Sequence, residues 1–152
     1  MVTKQIIFKI GTGSYGIDVS KVMGIEKDIP VVEIPNAPDC IKGMINLRGD
    51  VIPVFSLRDK FHMPAAENLE TKELVIAKSN GVVIAIEVDL VEEIVELEDS
   101  KIGPAPVIIK AQGTEYIESV AHVENNLVLI IDLDGLLDAG QANTLQAIVD
   151  NQ

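Results

Sequence analysis

Residues Ile41–Phe61 read IKGMINLRGDVIPVFSLRDKF, and this stretch decides the fold. Its pattern predicts a strand, a tight turn, a second strand and a short helix. Met44, Ile45 and Leu47 lead into a turn at Arg48-Gly49-Asp50, where glycine takes a positive φ at little steric cost. Val51, Ile52, Val54 and Phe55 are β-branched or aromatic, as strands favour. Pro53 has no N–H for a ladder, so it is expected at a sheet edge or a bulge. Ser56 precedes Asp59 in the pattern of a helix N-cap. Leu57 and Phe61, four apart, share one face of that helix. Arg48 is the one charge out of place in this run, with Asn46 and Asp50 beside it. Read structurally, it is a solvated turn residue paired with Asp50, since most surface charges contribute little. Read functionally, it is rigidly mounted to meet a partner.

Working outward, the N-terminal side gives a strand at Gln5 to Ile10, a turn at Gly11 to Gly13, and a strand from Tyr15 to Val19. Val22 to Glu26 continues extended, and Ile29 to Ile34 reads as a further short strand. Pro35 and Pro38 break the ladder, and one helical turn is expected near Cys40 to Lys42. On the C-terminal side, Met63 to Thr71 is a polar connector. Leu74 to Ala77 and Val82 to Leu90 flank the hairpin signal Ser79-Asn80-Gly81. Ile86, Val88 and Leu90 alternate against Glu87 and Asp89. Glu92-Glu93 reads as a bulge or bend before Ile94 to Glu98. Gly103-Pro104-Ala105-Pro106 is a rigid loop. Tyr116 to Val123 and Leu127 to Ile131 form a last hairpin, and Asp132 caps a short helix through Leu137. Residues 139–152 are a polar tail with helical tendency.

The chain repeats itself. When Ile17 is aligned with Ile86, the residues Val19, Val22 and Ile25 fall on Val88, Val91 and Ile94. When Ile41 is aligned with Ile117, the residues Leu47, Val54, Leu57 and Phe61 fall on Val123, Ile130, Leu133 and Leu137. The expected organisation is therefore all-β: two similar halves, 1–66 and 67–138, each with about five short strands, a number suited to a small barrel. The halves leave open whether strands are exchanged between them.

Composition narrows the function. The 152 residues are 47% hydrophobic but only 3% aromatic, enough for an aliphatic core. Twelve basic and 24 acidic residues give a formal charge of −12, which opposes binding to nucleic acid or to an anionic membrane surface. Cys40 is the single cysteine, so there is no intrachain disulfide. No signal peptide or spanning segment is evident, which points to the cytoplasm.

Motifs for chemistry fail on context. Gly11-Thr12-Gly13-Ser14-Tyr15-Gly16 has G-x-G-x-x-G spacing, but a dinucleotide fingerprint needs a helix next, and Ile17-Asp18-Val19 reads as strand. Arg48-Gly49-Asp50 matches a cell-adhesion tripeptide by coincidence. Cys40, His62 and His122 lack metal-ligand spacing. The seven acids from Glu87 to Asp99 alternate with apolar residues, the pattern of a solvated sheet face. No nucleophile and base form a recognisable signature. Two classes remain: a non-enzymatic adaptor, and a catalytic or small-ligand-binding protein using an OB-like surface.

The pattern I-K-G-x-x-N-L-R-G-x-V-I-P-V-x-x-L-R-x-x-F closely resembles the CheW family of bacterial chemotaxis coupling proteins, and the resemblance runs from about Gln5 to Leu137. It implies a tandem pair of small five-stranded barrels, Src-homology-3-like or OB-like, about a shared apolar core. It implies a non-enzymatic adaptor without cofactor or metal, coupling transmembrane chemoreceptors to the histidine kinase CheA. One barrel would dock on the kinase's regulatory domain, and the receptor's cytoplasmic tip would lie in a groove between the barrels, with no membrane insertion by the adaptor itself. The residues matching the family's coupling positions are Asn46, Leu47, Arg48, Gly49 and Gly43. A second family segment, Val-x-Glu-Ile, matches Val22, Met23, Gly24 and Ile25. Gly24 replaces the family's glutamate; either Glu26, two residues on and on the same strand face, supplies the charge, or the receptor contact differs at this point. The chain's length argues against the receiver-bearing relative CheV.

Overall fold

The computed structural model describes residues 2–37, 40–61, 73–79, 81–104 and 117–136. The connector from Met63 to Thr71, Ala105-Pro106 and the tail lie outside them. Among the described residues eleven strands form two sheets. The strands are β1 (Val2–Ile10), β2 (Gly13–Asp18), β3 (Val22–Lys27), β4 (Ile41–Leu47), β5 (Asp50–Ser56), β6 (Glu73–Ser79), β7 (Val82–Val88), β8 (Leu90–Glu98), β9 (Ile102–Pro104), β10 (Ile117–Val123) and β11 (Asn126–Ile131). Two short helices follow β5 and β11: α1 (Leu57–Lys60) and α2 (Leu133–Leu136).

One sheet has the order β8-β1-β2-β11-β10-β9 and the other β3-β6-β7-β5-β4. Each sheet takes strands from both sides of residue 66, so strands are exchanged between the halves. The hairpin β1–β2 lies with β8 to β11, and the hairpin β6–β7 lies with β3 to β5. Antiparallel pairs dominate, but β5 runs parallel to β7 and β11 parallel to β2. These parallel contacts join hairpins far apart in sequence, which is why the repeat alone did not resolve the exchange.

Side-chain alternation explains the packing. In β6, Val75 and Ala77 face a core shared by both sheets, while Leu74 and Ile76 face a small cluster within the five-stranded sheet. In β5, Phe55 joins the shared core, and Ile52 and Val54 join the small cluster. The six-stranded sheet has its own cluster of Ile7, Leu97, Ala121, Val128 and Ile130. Equivalent residues of the repeat land in equivalent places. Val54 and Ile130 sit in the separate clusters, and Leu57 and Leu133 sit in the shared core. Phe61 packs on that core with Leu57, stacking on Tyr15 at 5.0 Å, and Tyr15 stacks on Phe8 at 6.0 Å. Burial raises the Tyr15 phenol above its ordinary pKa.

The central hairpin forms as its sequence predicts. Arg48 (φ 53°) and Gly49 (φ 91°) make a two-residue turn with positive φ at both centres, the type I′ geometry that matches strand twist. Ser56 Oγ accepts from the Asp59 N–H at 3.2 Å and caps α1. Asp132 does the same for α2 through the Asp134 N–H, and a bulge skips Glu92 opposite β1.

Several expectations are corrected. β2 ends at Asp18, whose carboxylate accepts from the Ser20 N–H and starts a 3-10 turn, Val19–Lys21, so Val19 is not in the strand. Residues 29–34 contribute one bridge, Val32 to Met44, rather than a strand. Ile41 already belongs to β4, so no helical turn spans Cys40 to Lys42. Leu90 opens β8 and is exposed rather than facing the core. Gly103 and Pro104 lie in β9, an edge strand that tolerates proline. Pro53 sits in an inner strand and not at an edge. Its partner Met44 spends its N–H and C=O on Val32, and the ladder to β7 begins only at Val54, so Pro53 leaves no bond unmade.

Asp89 also departs from the solvated face expected of its acidic neighbourhood. Its Oδ1 accepts from Arg58 Nε at 2.9 Å and its Oδ2 from Arg58 Nη2, with side chains only 12% and 16% exposed. Asp89 Oδ2 also accepts from the Gly11 N–H at 2.7 Å. Hydrogen bonding to Asp89 holds the Arg58 guanidinium above its ordinary pKa.

A candidate partner-binding groove on the five-stranded sheet

A groove of about 900 Å³ opens on the five-stranded sheet. Its walls are β3 from Met23 to Glu26, the β4–β5 turn from Leu47 to Ile52, Ile76 of β6, and Gly81 to Val83 at the start of β7. All belong to one sheet, whereas the family resemblance implied a groove between two barrels.

Among the described residues the β3 wall is an edge strand, paired only with β6. Its register slips between Val22 and Gly24, so Met23 has no ladder partner and is 65% exposed. Such a bulge twists an edge and re-aims a side chain. Ile25 is also exposed, so the wall offers apolar surface. Gly24 has nothing within 4 Å of where a Cβ would stand, which leaves the groove open at this point.

The opposite wall is the type I′ turn. Asn46 Oδ1 accepts from the Gly49 N–H at 3.0 Å and ties the turn to its own strand. Arg48 is thereby presented with its side chain 84% exposed. Its guanidinium pairs with Glu26 across the groove at 3.6 Å, and Glu26 is 27% exposed. The expected Asp50 pairing is replaced by this longer-range one. Glu26 thus brings a carboxylate to the groove two residues beyond Gly24.

Of the eight residues singled out from sequence, Gly24, Glu26, Leu47, Arg48 and Gly49 line the groove together. Val22 packs against the shared core, and Asn46 acts through the turn. Gly43 lies elsewhere. It is buried beneath the Val32 bridge, where a Cβ would stand 2.2 Å from the Val32 carbonyl oxygen. Met23 and Ile25, which the family-matching segment from Val22 to Ile25 already contained, line the groove as well. Strict alternation put them opposite Gly24 and Glu26, but a bulged edge strand shows both faces. Among the described residues, no group of three or more His, Cys, Asp or Glu is placed to hold a metal. No helix of the described residues is long and apolar enough to cross a membrane.

This architecture defines a two-sheet, partner-binding module. Residues 4–141 match the family model described as a CheW-like domain. The chain is 33% identical to the chemotaxis protein CheW of Klebsiella aerogenes over 146 residues, covering 96% of this chain and 86% of that one. It is 31% identical to the chemotaxis protein CheW of Bacillus subtilis, covering 89% and 86% of the two chains. The crystal structure of the scaffolding protein TtCheW from Thermoanaerobacter tengcongensis superposes with a TM-score of 0.83 at 28% identity, covering 93% of this chain and 96% of that chain. The chain therefore belongs to the CheW-like family. It is a chemotaxis adaptor, a scaffold and not an enzyme.

Proposed function

We propose that this adaptor couples chemoreceptors to the histidine kinase CheA, and that the groove on the five-stranded sheet receives the receptor's cytoplasmic tip. The observation that carries the reading is Arg48, set on a turn fixed by Asn46 and held over an apolar-walled groove by Glu26. An exposed, pre-oriented arginine beside apolar surface has the make-up of an interface hot spot. In this reading Leu47, Gly49, Gly24 and Met23 shape the groove, Asn46 fixes its turn, and Val22 and Gly43 act through packing away from it. The kinase's regulatory domain docks on a different face. The protein works in the cytoplasm, recruited to receptor arrays through these partners.

The test is Arg48→Ala, because alanine keeps a Cβ in the same left-handed conformation and leaves backbone strain unchanged. Losing an exposed pair should alter stability by no more than ~1 kcal/mol. Kinase binding should persist, while binding of receptor fragments weakens by ~2 kcal/mol or more, about 30-fold. A variant that unfolds normally and still couples receptor to kinase fully would reject the groove as the receptor site.

A further inference from the structure

Among the described residues the chain crosses between sheets at two links: the 3-10 turn Val19–Lys21 between β2 and β3, and Asp89 between β7 and β8. Each link is gripped by an ion pair from a short helix. Arg58 of α1 holds Asp89, and Asp134 of α2 holds Lys21 at 3.0 Å. With the repeat aligned on Leu57 and Leu133, Arg58 falls on Asp134, so the helix members of the two clasps are equivalent in position and opposite in charge.

They are not equally secure. The Arg58–Asp89 clasp is forked and mostly covered, and the Gly11 N–H adds a third bond to its carboxylate. The Lys21–Asp134 clasp is one ammonium on a flexible stem, with side chains 44% and 41% exposed. Two cap carboxylates add to the field at this ammonium: Asp18, which caps the 3-10 turn, and Asp132, which caps α2. Hydrogen bonding to Asp134, and then its charge, hold Lys21 above its ordinary pKa, so the clasp is charged throughout the neutral range.

Lys21 directly precedes β3, the edge strand that walls the groove, and Met23 at the bulge follows two residues later. α2 leads out of β11 in the other sheet, and Ser79 Oγ of β6 donates to the Leu133 carbonyl at 2.9 Å. A connection of side chains thus runs from the six-stranded sheet through α2 and Lys21 to the groove wall. We propose that Lys21–Asp134 is a releasable clasp that sets the position of β3, and with it the groove, from the opposite sheet, while Arg58–Asp89 is the permanent one. A partner whose docking disturbs α2 would then alter groove affinity, and groove occupancy would alter that docking by the same factor. This rests on the groove being the receptor site.

The test begins on the isolated protein, by amide hydrogen exchange of the wild type, Lys21→Gln, Asp134→Asn and the charge-keeping Lys21→Arg. Lys21→Gln and Asp134→Asn should each speed exchange of β3 amides several-fold and leave β7 amides unchanged, while Lys21→Arg stays near wild type. Raised salt should speed the same β3 amides in the wild type, since an exposed pair is screened. Unchanged β3 exchange in both charge-removing variants would overturn the clasp. So would faster exchange spread evenly over all strands, which would mark a general loss of stability. Receptor-fragment binding by the same variants separates the two readings. If β3 exchange responds and receptor binding does not, the clasp stands and the groove reading falls.

Discussion

Replacing Gly43 by alanine separates a packing role from a contact role at this position. The added Cβ would stand 2.2 Å from the Val32 carbonyl oxygen and 3.0 Å from Val31 Cγ1. The obstacle at 2.2 Å is backbone, so no rotamer relieves it. Two responses are open. If the segment around Val32 moves away, the bridge goes, with its two 2.8 Å hydrogen bonds between Val32 and Met44. At ~0.5–1.5 kcal/mol each, that costs ~1–3 kcal/mol. If β4 shifts instead to make room for the methyl, the displacement also costs ~1–3 kcal/mol. These are alternatives and do not add. The expected loss is therefore ~1–3 kcal/mol, lowering Tm by roughly 2–12 °C for a chain of this size. Chemical denaturation should show a lower midpoint with an unchanged slope. Receptor and kinase binding, measured where both proteins are folded, should fall little. A normal midpoint would refute the packing argument. A normal midpoint with lost coupling would make Gly43 a contact residue.

Leu57→Ala and Leu133→Ala should each cost ~2–5 kcal/mol in denaturation, because both side chains are almost fully buried in the shared core; an unchanged midpoint for either would break the repeat-based core. Asp89→Ala removes the forked acceptor of Arg58 and of the Gly11 N–H and should destabilise by roughly 2–4 kcal/mol, below a fully buried pair because some solvent reaches it. Arg58→Met with Asp89→Leu should recover much of that loss, and no recovery would mean that packing is at stake rather than charge. Glu26→Gln should change stability by no more than ~1 kcal/mol yet weaken receptor-fragment titrations less than Arg48→Ala does, since it only frees the arginine.

The parts of the fold set by local rules were legible. The Arg48-Gly49 turn, the Ser56 and Asp132 caps and the Glu92 bulge follow from turn chemistry, capping and broken alternation, and all are present. Core equivalence within the repeat was legible because period-2 alternation fixes which face each residue joins. The non-local features were not. The exchange of hairpins depends on the parallel pairs β5–β7 and β2–β11, which no local signal encodes. Asp89 read as solvated because its partner Arg58 lies far off in sequence. Pro53 misled because the rule for proline in strands assumes that the missing N–H is needed, and the Met44 bridge to Val32 removes the need. At the groove, Arg48, Gly24 and Glu26 were legible, but their junction across the cleft was not.

The repeat supplies an internal control for the role of Arg48. Aligned on Leu57 and Leu133, Arg48-Gly49 falls on Glu124-Asn125, and that turn also has positive φ at both centres, 46° and 68°. The six-stranded sheet thus builds the same hairpin with a carboxylate where the five-stranded sheet has a guanidinium. The core positions beneath have kept their character, with Val54 matched by Ile130 and Leu57 by Leu133. Turn geometry and core are what the fold requires, and both repeats meet the requirement. The charge at the turn tip is free to differ. On β3 the groove offers Met23 and Ile25, and the alignment that sets Val22 on Val91 turns these into Glu92 and Ile94. The two ends of the molecule therefore share a scaffold but not a surface. That the same turn forms without an arginine in the six-stranded sheet supports the proposed role of Arg48 at the groove over a role in shaping the hairpin.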